Sequence, residues 1–108
     1  MSNIEKQIII QINALKRITK EIHMYEREID SQSNKISYMK ENNEDIHDIK
    51  KQEEVLEESH MMIPNCKKQL KIFINKLHTL LDENKNIYDD LRNEALNIIN
   101  DIDVNFIN

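Results

Sequence analysis

The 108-residue chain has no glycine, no tryptophan, one proline and one cysteine, and only 5% of its residues are aromatic. Average usage would give a chain of this length about seven or eight glycines. Glycine supplies positive φ in tight turns, phosphate cradles and strained catalytic loops. Without it no Walker loop, dinucleotide fingerprint or EF-hand turn can be built. A sheet needs many tight reversals, whereas a few long helices need two or three connections. The composition therefore points to an all-α fold and away from most enzymes. A lone Cys66 excludes an internal disulfide, and no charged segment followed by an apolar one precedes a cleavage site. The expectation is a reduced, soluble, intracellular protein. Basic excess is also missing: 15 Lys and Arg face 20 Asp and Glu, net −5, which argues against a nucleic-acid partner. The longest apolar run, Ile8 to Ile10, is far short of the roughly 20 residues that span a bilayer, so no membrane partner is expected.

What is present is helical periodicity. Ile8, Gln11, Leu15, Ile18, Ile22, Tyr25, Ile29, Gln32, Ile36 and Met39 follow one another in steps of three and four, one face of a single long helix. Ser2 or Asn3 can cap its start. It fails at Glu41-Asn42-Asn43-Glu44-Asp45, where asparagine can take the left-handed conformation that glycine usually supplies. With Asp45 as N-cap, a second seam runs Ile49, Gln52, Leu56, Ser59, Ile63, Cys66, Leu70, Phe73, Leu77, Leu80. Pro64 lies inside it. An interior proline removes one backbone hydrogen bond and costs about 3 kcal/mol, yet the spacing passes through it without a phase slip, which predicts a kinked but continuous helix.

After Asp82-Glu83-Asn84-Lys85-Asn86, a third amphipathic helix is read from Tyr88, Leu91, Ala95, Ile98 and Ile102, flanked by Ile87, Ile99 and Phe106. Short connections make neighbouring helices antiparallel. The expectation is a single domain over residues 1–108, a rod-like, antiparallel, up-down-up three-helix bundle with helices at 3–42, 46–83 and 87–106. Gln11, Gln32, Gln52 and Ser59 fall on the seams where leucine is expected. Polar residues there fix register at some loss of stability.

Chemistry-bearing side chains do not assemble into a site. His23, His47, His60 and His78 lack a second His or Cys at metal-ligand spacing. Cys66 lies on the seam between Ile63 and Leu70, where a thiol serves as a small apolar filler. The acidic runs at Glu53-Glu54, Glu57-Glu58 and Asp89-Asp90 read as solvated helix faces, most with a lysine three or four residues away. No catalytic residue, metal or cofactor is expected.

His60-Met61-Met62-Ile63-Pro64 resists a purely structural reading. In the heptad set by Leu56 and Ile63, Met61 falls at the outermost position and Met62 at its edge. A kink could rotate them into the core; outward, they would form the adaptable apolar surface that methionine brings to binding sites. Met24, beside Tyr25, is a second outward apolar residue. Lys50-Lys51 and Lys67-Lys68 flank the methionine segment, with Glu54, Glu57 and Glu58 in the acidic stretch between. An apolar centre with a mixed charged rim is how a protein-binding patch is built.

These residues also carry a resemblance. Asp48-Ile49-Lys50-Lys51-Gln52, Val55-Leu56-Glu57-Glu58-Ser59, Met61-Met62-Ile63-Pro64 and Cys66 resemble the signature region of the tubulin-specific chaperone A family, also called tubulin-folding cofactor A. Lys16-Arg17, Lys20-Glu21, Met24-Tyr25-Glu26 and Glu28 are similar to its first helix, and Leu80 to Lys85 to the end of its second. The likeness covers about residues 14 to 90. The family's middle loop commonly holds a glycine, where this chain has Asn42-Asn43. The resemblance implies a cytosolic, cytoskeleton-associated three-helix protein that captures β-tubulin released by the chaperonin. It would hold β-tubulin without catalysis and pass it to later folding cofactors. It also implies binding through helical faces, where Met24, Lys50, Lys51, Glu54, Glu57, Glu58, Met61, Met62, Lys67 and Lys68 lie. A generic helical scaffold or adaptor for another protein is the alternative. The free protein is expected to be a monomer or a weak homodimer.

Overall fold

The computed structural model describes residues 2–107. Three α-helices follow in order, α1 (Asn3–Glu41), α2 (Ile46–Glu83) and α3 (Asp89–Ile102), and a π-helical turn, Asp103–Ile107, closes the described chain. No strand occurs among the described residues. α2 is unbroken through Pro64, in keeping with the uninterrupted apolar phase. The third helix differs at both ends from the expected 87–106. Tyr88 is extended at φ −69° and ψ 150° and serves as N-cap, so it is exposed and off the seam. At the other end the α-helix stops at Ile102, and the remaining residues widen into the π turn.

The contacts divide the chain into two compact units. One joins the chain up to Thr19 with the chain from Lys67 onward, and the other is Lys20–Cys66. The first contains pieces of all three helices. From α1 it buries Ile8, Ile12, Ala14, Leu15 and Ile18; from α2, Leu70, Ile74, Leu77 and Leu81; from α3, Leu91, Ala95, Ile99 and Ile102. Ile12, Ala14, Ile74 and Leu81 lie beside the three-four seam, because a helix with two neighbours buries a wider arc than a single stripe. Each fully buried Leu or Ile contributes about 1.5–3 kcal/mol. The Lys16 ammonium lies 3.5 Å from the Glu94 carboxylate with both side chains about half exposed, a geometry that adds little stability.

The second unit contains α1 and α2 alone, and its core is thinner. Ile36, Met39 and Ile49 form a buried cluster with half-buried Leu56 against it, and Ile22, Ser59 and Cys66 are also buried. Tyr25, Ile29, Gln32, Gln52 and Ile63 are only half-buried. Gln32 here, and Gln11 in the other unit, each turn a side-chain oxygen inward where no described residue donates to it. Residues that share a groove run in opposite order on the two helices. Ser33, Ile36 and Lys40 lie with Lys50 to His60, while Tyr25 and Glu28 lie with Val55 to Asn65.

Helix ends without glycine are closed by side chains. At the start of α1 the Glu5 N–H donates to Ser2 Oγ at 3.2 Å, and the Ser2 hydroxyl donates to the Glu5 carboxylate at 2.9 Å, a variant of the capping box. At its end Asn43 has φ +51°. Its N–H donates to the Lys40 carbonyl and the Glu44 N–H to the Met39 carbonyl, at 3.2 and 3.0 Å, the pair of bonds that defines a Schellman turn. Asp45 then caps α2 by accepting the His47 N–H at 2.7 Å. Asparagine amides also close carbonyls four residues back, Asn42 to Tyr38, Asn84 to Leu80 and Asn105 to Asp101, at 2.8 to 2.9 Å.

α2 has no basic residue in its last turn. Arg92 of α3 supplies the cation, donating from Nη2 to the Asn84 carbonyl at 3.0 Å and from Nη1 to the Leu81 carbonyl at 3.4 Å. Arg92→Ala is therefore expected to lower unfolding free energy in urea by about 1–2 kcal/mol, with Arg92→Lys intermediate; a loss below about 0.5 kcal/mol contradicts this capping role. Asn43→Val, which puts a β-branched residue at positive φ, is expected to lose about 1–2 kcal/mol in the same assay while Asn43→Gly loses nothing.

Candidate functional site

In a two-helix unit each helix can bury only the side that meets its single neighbour, so apolar residues beside the seam stay in solvent. Val55 and Met62 are the α2 residues so placed, 38% and 37% exposed, and Met61 on the outer side is 61% exposed. In the three-helix unit the apolar residues that flank the α2 seam, Ile74 and Leu81, lie on its other side and are buried. Met61, at the outermost heptad position, faces solvent, and Met62, at its edge, is about one-third exposed, so the helix is not rotated to bring them inside.

Met61, Met62 and Val55 line a shallow groove between α1 and α2, together with Tyr25, Glu28 and Glu58. Half-buried Tyr25 and buried Ser59 are among its lining residues, and both charged side chains in its lining are acidic. A second groove in the same unit holds Lys50, Glu54 and Glu57 with Ser33, Lys40, Glu53 and His60 around Ile36 and Leu56. The ten candidate residues thus separate in space. Glu58, Met61 and Met62 share one groove, and Lys50, Glu54 and Glu57 share the other. Met24 and Lys51 are exposed but line neither, and Lys67 and Lys68 are exposed residues of the three-helix unit. Val55, Tyr25 and Glu28 are groove residues that the outward-methionine argument did not single out. Val55 was legible as a seam-flanking residue; Tyr25 and Glu28 depend on which part of α1 pairs with α2.

Both grooves are open and shallow, and their walls are helix faces. Among the described residues no three His, Cys, Asp or Glu side chains come close enough to hold a metal ion, and no helix is long and apolar enough to cross a membrane. What the arrangement offers is an adaptable apolar strip with ionised edges, suited to covering by another protein surface.

The chain matches the model of a family described as tubulin binding cofactor A over residues 3–99. It is 40% identical over 82 residues to tubulin-specific chaperone A of Homo sapiens, covering 76% of each chain. It is 41% identical over 78 residues to tubulin-folding cofactor A of Arabidopsis thaliana, 72% of this chain and 69% of that one. The crystal structure of tubulin folding cofactor A from Arabidopsis thaliana matches with a TM-score of 0.79 at 33% identity, over 94% of this chain and 96% of that one. The structure of a β-tubulin binding post-chaperonin cofactor matches with a TM-score of 0.69 at 31% identity, over 90% of this chain and 98% of that one.

Cys66 sits in the core at 3% exposure. Burial pushes its thiol up from the ordinary value of 9.0, and the Glu21 carboxylate acts in the same direction. Both effects disfavour the thiolate, so the residue is a packed apolar filler and a poor nucleophile. Because the folded value is raised, the unfolded chain releases this proton first. The stabilisation held below the unfolded value is then lost as pH rises past about 9 toward the higher folded value. Between pH 8 and pH 10 the wild type is expected to lose more urea stability than Cys66→Ala does; equal losses in the two proteins contradict the buried-thiol account.

Proposed function

Because the chain belongs to the tubulin binding cofactor A family, we propose that it captures β-tubulin released by the chaperonin. It then holds β-tubulin by one-to-one, non-catalytic binding through its helical faces until later folding cofactors take it over. The observation that carries this reading to particular residues is the uncovered apolar strip of Val55, Met61 and Met62 in the two-helix unit. Folding intermediates of a large protein expose apolar surface and aggregate through it. A holding protein therefore needs an apolar face of its own that remains soluble when empty. Methionine suits that face, since its unbranched, polarisable side chain repacks against irregular surfaces. The acidic Glu28 and Glu58 that line the groove keep the empty face hydrated and limit wrong partners, and Lys50, Glu54 and Glu57 of the second groove, with exposed Lys51, widen the proposed contact. Met24, Lys67 and Lys68 extend the proposed contact beyond the two grooves. The family names, which are those of chaperones and folding cofactors, and the solved relative described as a β-tubulin binding post-chaperonin cofactor support the choice of partner. The place of action is proposed to be the cytoplasm, in association with the cytoskeleton, and the free protein a monomer or weak homodimer.

The same proposal takes the chain as one domain with its helices running up, down and up. α1 and α2 each contribute to both compact units, and residues sharing a groove run in opposite order. It also takes α2 as bent at Pro64, where the missing N–H leaves the His60 carbonyl without its helical donor.

Binding is tested by capturing unassembled tubulin subunits. The wild type is expected to retain β-tubulin and not α-tubulin. The double variant Met61→Lys, Met62→Lys is expected to weaken retention at least tenfold while helicity and melting temperature change little. Failure of the wild type to bind unassembled β-tubulin contradicts the proposal, and capture of an unrelated protein in its place identifies an adaptor. Loss of fold in the double variant shows the methionines to be part of the core. Pro64→Ala is expected to raise unfolding free energy by about 1–2 kcal/mol, part of the roughly 3 kcal/mol helix cost being offset by the freer unfolded chain; an unchanged or lower value shows that α2 carries no strain at Pro64.

A further inference from the structure

The chain's charge is unevenly divided. Lys20–Cys66 contains twelve acidic and six basic side chains, net −6, whereas the rest of the chain has eight acidic and nine basic, net +1. The whole acidic excess therefore belongs to the unit that has two helices and exposes Val55, Met61 and Met62. Within it, the charged side chains lining the methionine groove are Glu28 and Glu58, with no lysine or arginine among the lining residues.

We infer that this groove takes an amphipathic helix of the bound chain, apolar on the face that meets Val55, Met61 and Met62 and basic along its edges, in the role that α3 fills for the other unit. The inference rests on the proposed chaperone function for the identity of the bound chain. The backbone argues for a helix. Residues 20–41 and 46–66 are helical throughout, so the groove walls have no strand edge to pair with an extended peptide. A peptide that covers an apolar groove must satisfy its own N–H and C=O groups, and a helix does so internally. The three-helix unit gives the pattern: α3 covers α1 and α2 by burying Leu91, Ala95 and Ile99, spaced four apart, along one face. The acidic groove edges set the sign of the partner's flanking charge. Paired with lysine or arginine, Glu28 and Glu58 would steer encounter and orient the helix, and an acidic helix would be repelled.

The test uses a fluorescent 18-residue helical peptide with leucines on one face and lysines on both sides of it, and a twin with glutamates for the lysines. Anisotropy at low salt is expected to show the lysine peptide binding the wild-type protein at least tenfold more tightly than the glutamate twin. Glu28→Lys with Glu58→Lys is expected to reverse that order, and Met61→Gln with Met62→Gln to weaken the lysine peptide at least tenfold at unchanged circular dichroism. Equal binding of both peptides, or lysine-peptide binding that is the same in all three proteins, overturns the inference. So does a groove variant that abolishes self-association without affecting the peptide, which assigns the groove to a second copy. The same variants are measured against unassembled β-tubulin. Full tubulin binding by Glu28→Lys with Glu58→Lys, lost in Met61→Gln with Met62→Gln, overturns the basic-helix inference and leaves the chaperone reading intact. Peptide binding with no tubulin binding by the wild type overturns the chaperone reading and leaves the groove chemistry intact.

Discussion

A helix packed against one neighbour can shield only the arc that faces it, and a second neighbour is needed to shield the next. Everything distinctive about this protein depends on how its helices satisfy that constraint. α1 and α2 have 39 and 38 residues, whereas α3 has 14, about 20 Å of cover against nearly 60 Å of helix. α3 belongs with the chain ends, where Ile12, Ile74 and Leu81 join the seam in a three-sided core. Between Lys20 and Cys66 there is no third helix. Leu81 flanks the α2 seam on one side and is buried in the three-helix unit, whereas Val55 and Met62 flank it on the other side and are exposed in the two-helix unit. The strip is left exposed where α2 has α1 as its single neighbour, and it is composed of methionine and valine with a wholly acidic charged lining.

The chain achieves long helices and short connections without glycine. The four residues between α1 and α2 hold a Schellman turn with Asn43 in the left-handed region and an Asp45 N-cap. Asparagine amides donate back to carbonyls at Tyr38, Leu80 and Asp101, and Arg92 reaches from α3 to the end of α2. Each device satisfies terminal backbone groups that would otherwise need water or a glycine turn. Few residues are left in irregular backbone, where strained catalytic geometry is usually built. The surface on offer is therefore almost entirely helix face.

Periodicity made most of the fold legible. Helix identities, the Asn43 turn, the Asp45 cap and the passage of α2 through Pro64 all follow from spacing and local chemistry. Tyr88 shows where this stops. Its place on the apolar phase suggested a seam residue, but an N-cap must leave helical φ and ψ, and that turned the ring to solvent. Likewise Ile12 and Ala14 could not be assigned from one seam, since their burial depends on a second neighbour. At the candidate site, outward methionines were readable from heptad position, whereas Tyr25 and Glu28 entered only through the pairing of α1 with α2. The grouping of Lys50 with Glu54 and Glu57, apart from Glu58 and the methionines, was invisible for the same reason. The proposed partner lay beyond periodicity altogether, and was suggested by resemblance in the segment around Met61, Met62 and Pro64.

The central claim is that the uncovered face of the two-helix unit receives the bound chain. Methionine-methyl NMR tests it most directly, because Met61 and Met62 line the groove while Met39 is buried in the same unit. With deuterated protein labelled at methionine methyls, addition of unassembled β-tubulin is expected to move the Met61 and Met62 signals most and leave Met39 in place. Binding of β-tubulin with the Met61 and Met62 signals unmoved contradicts the account.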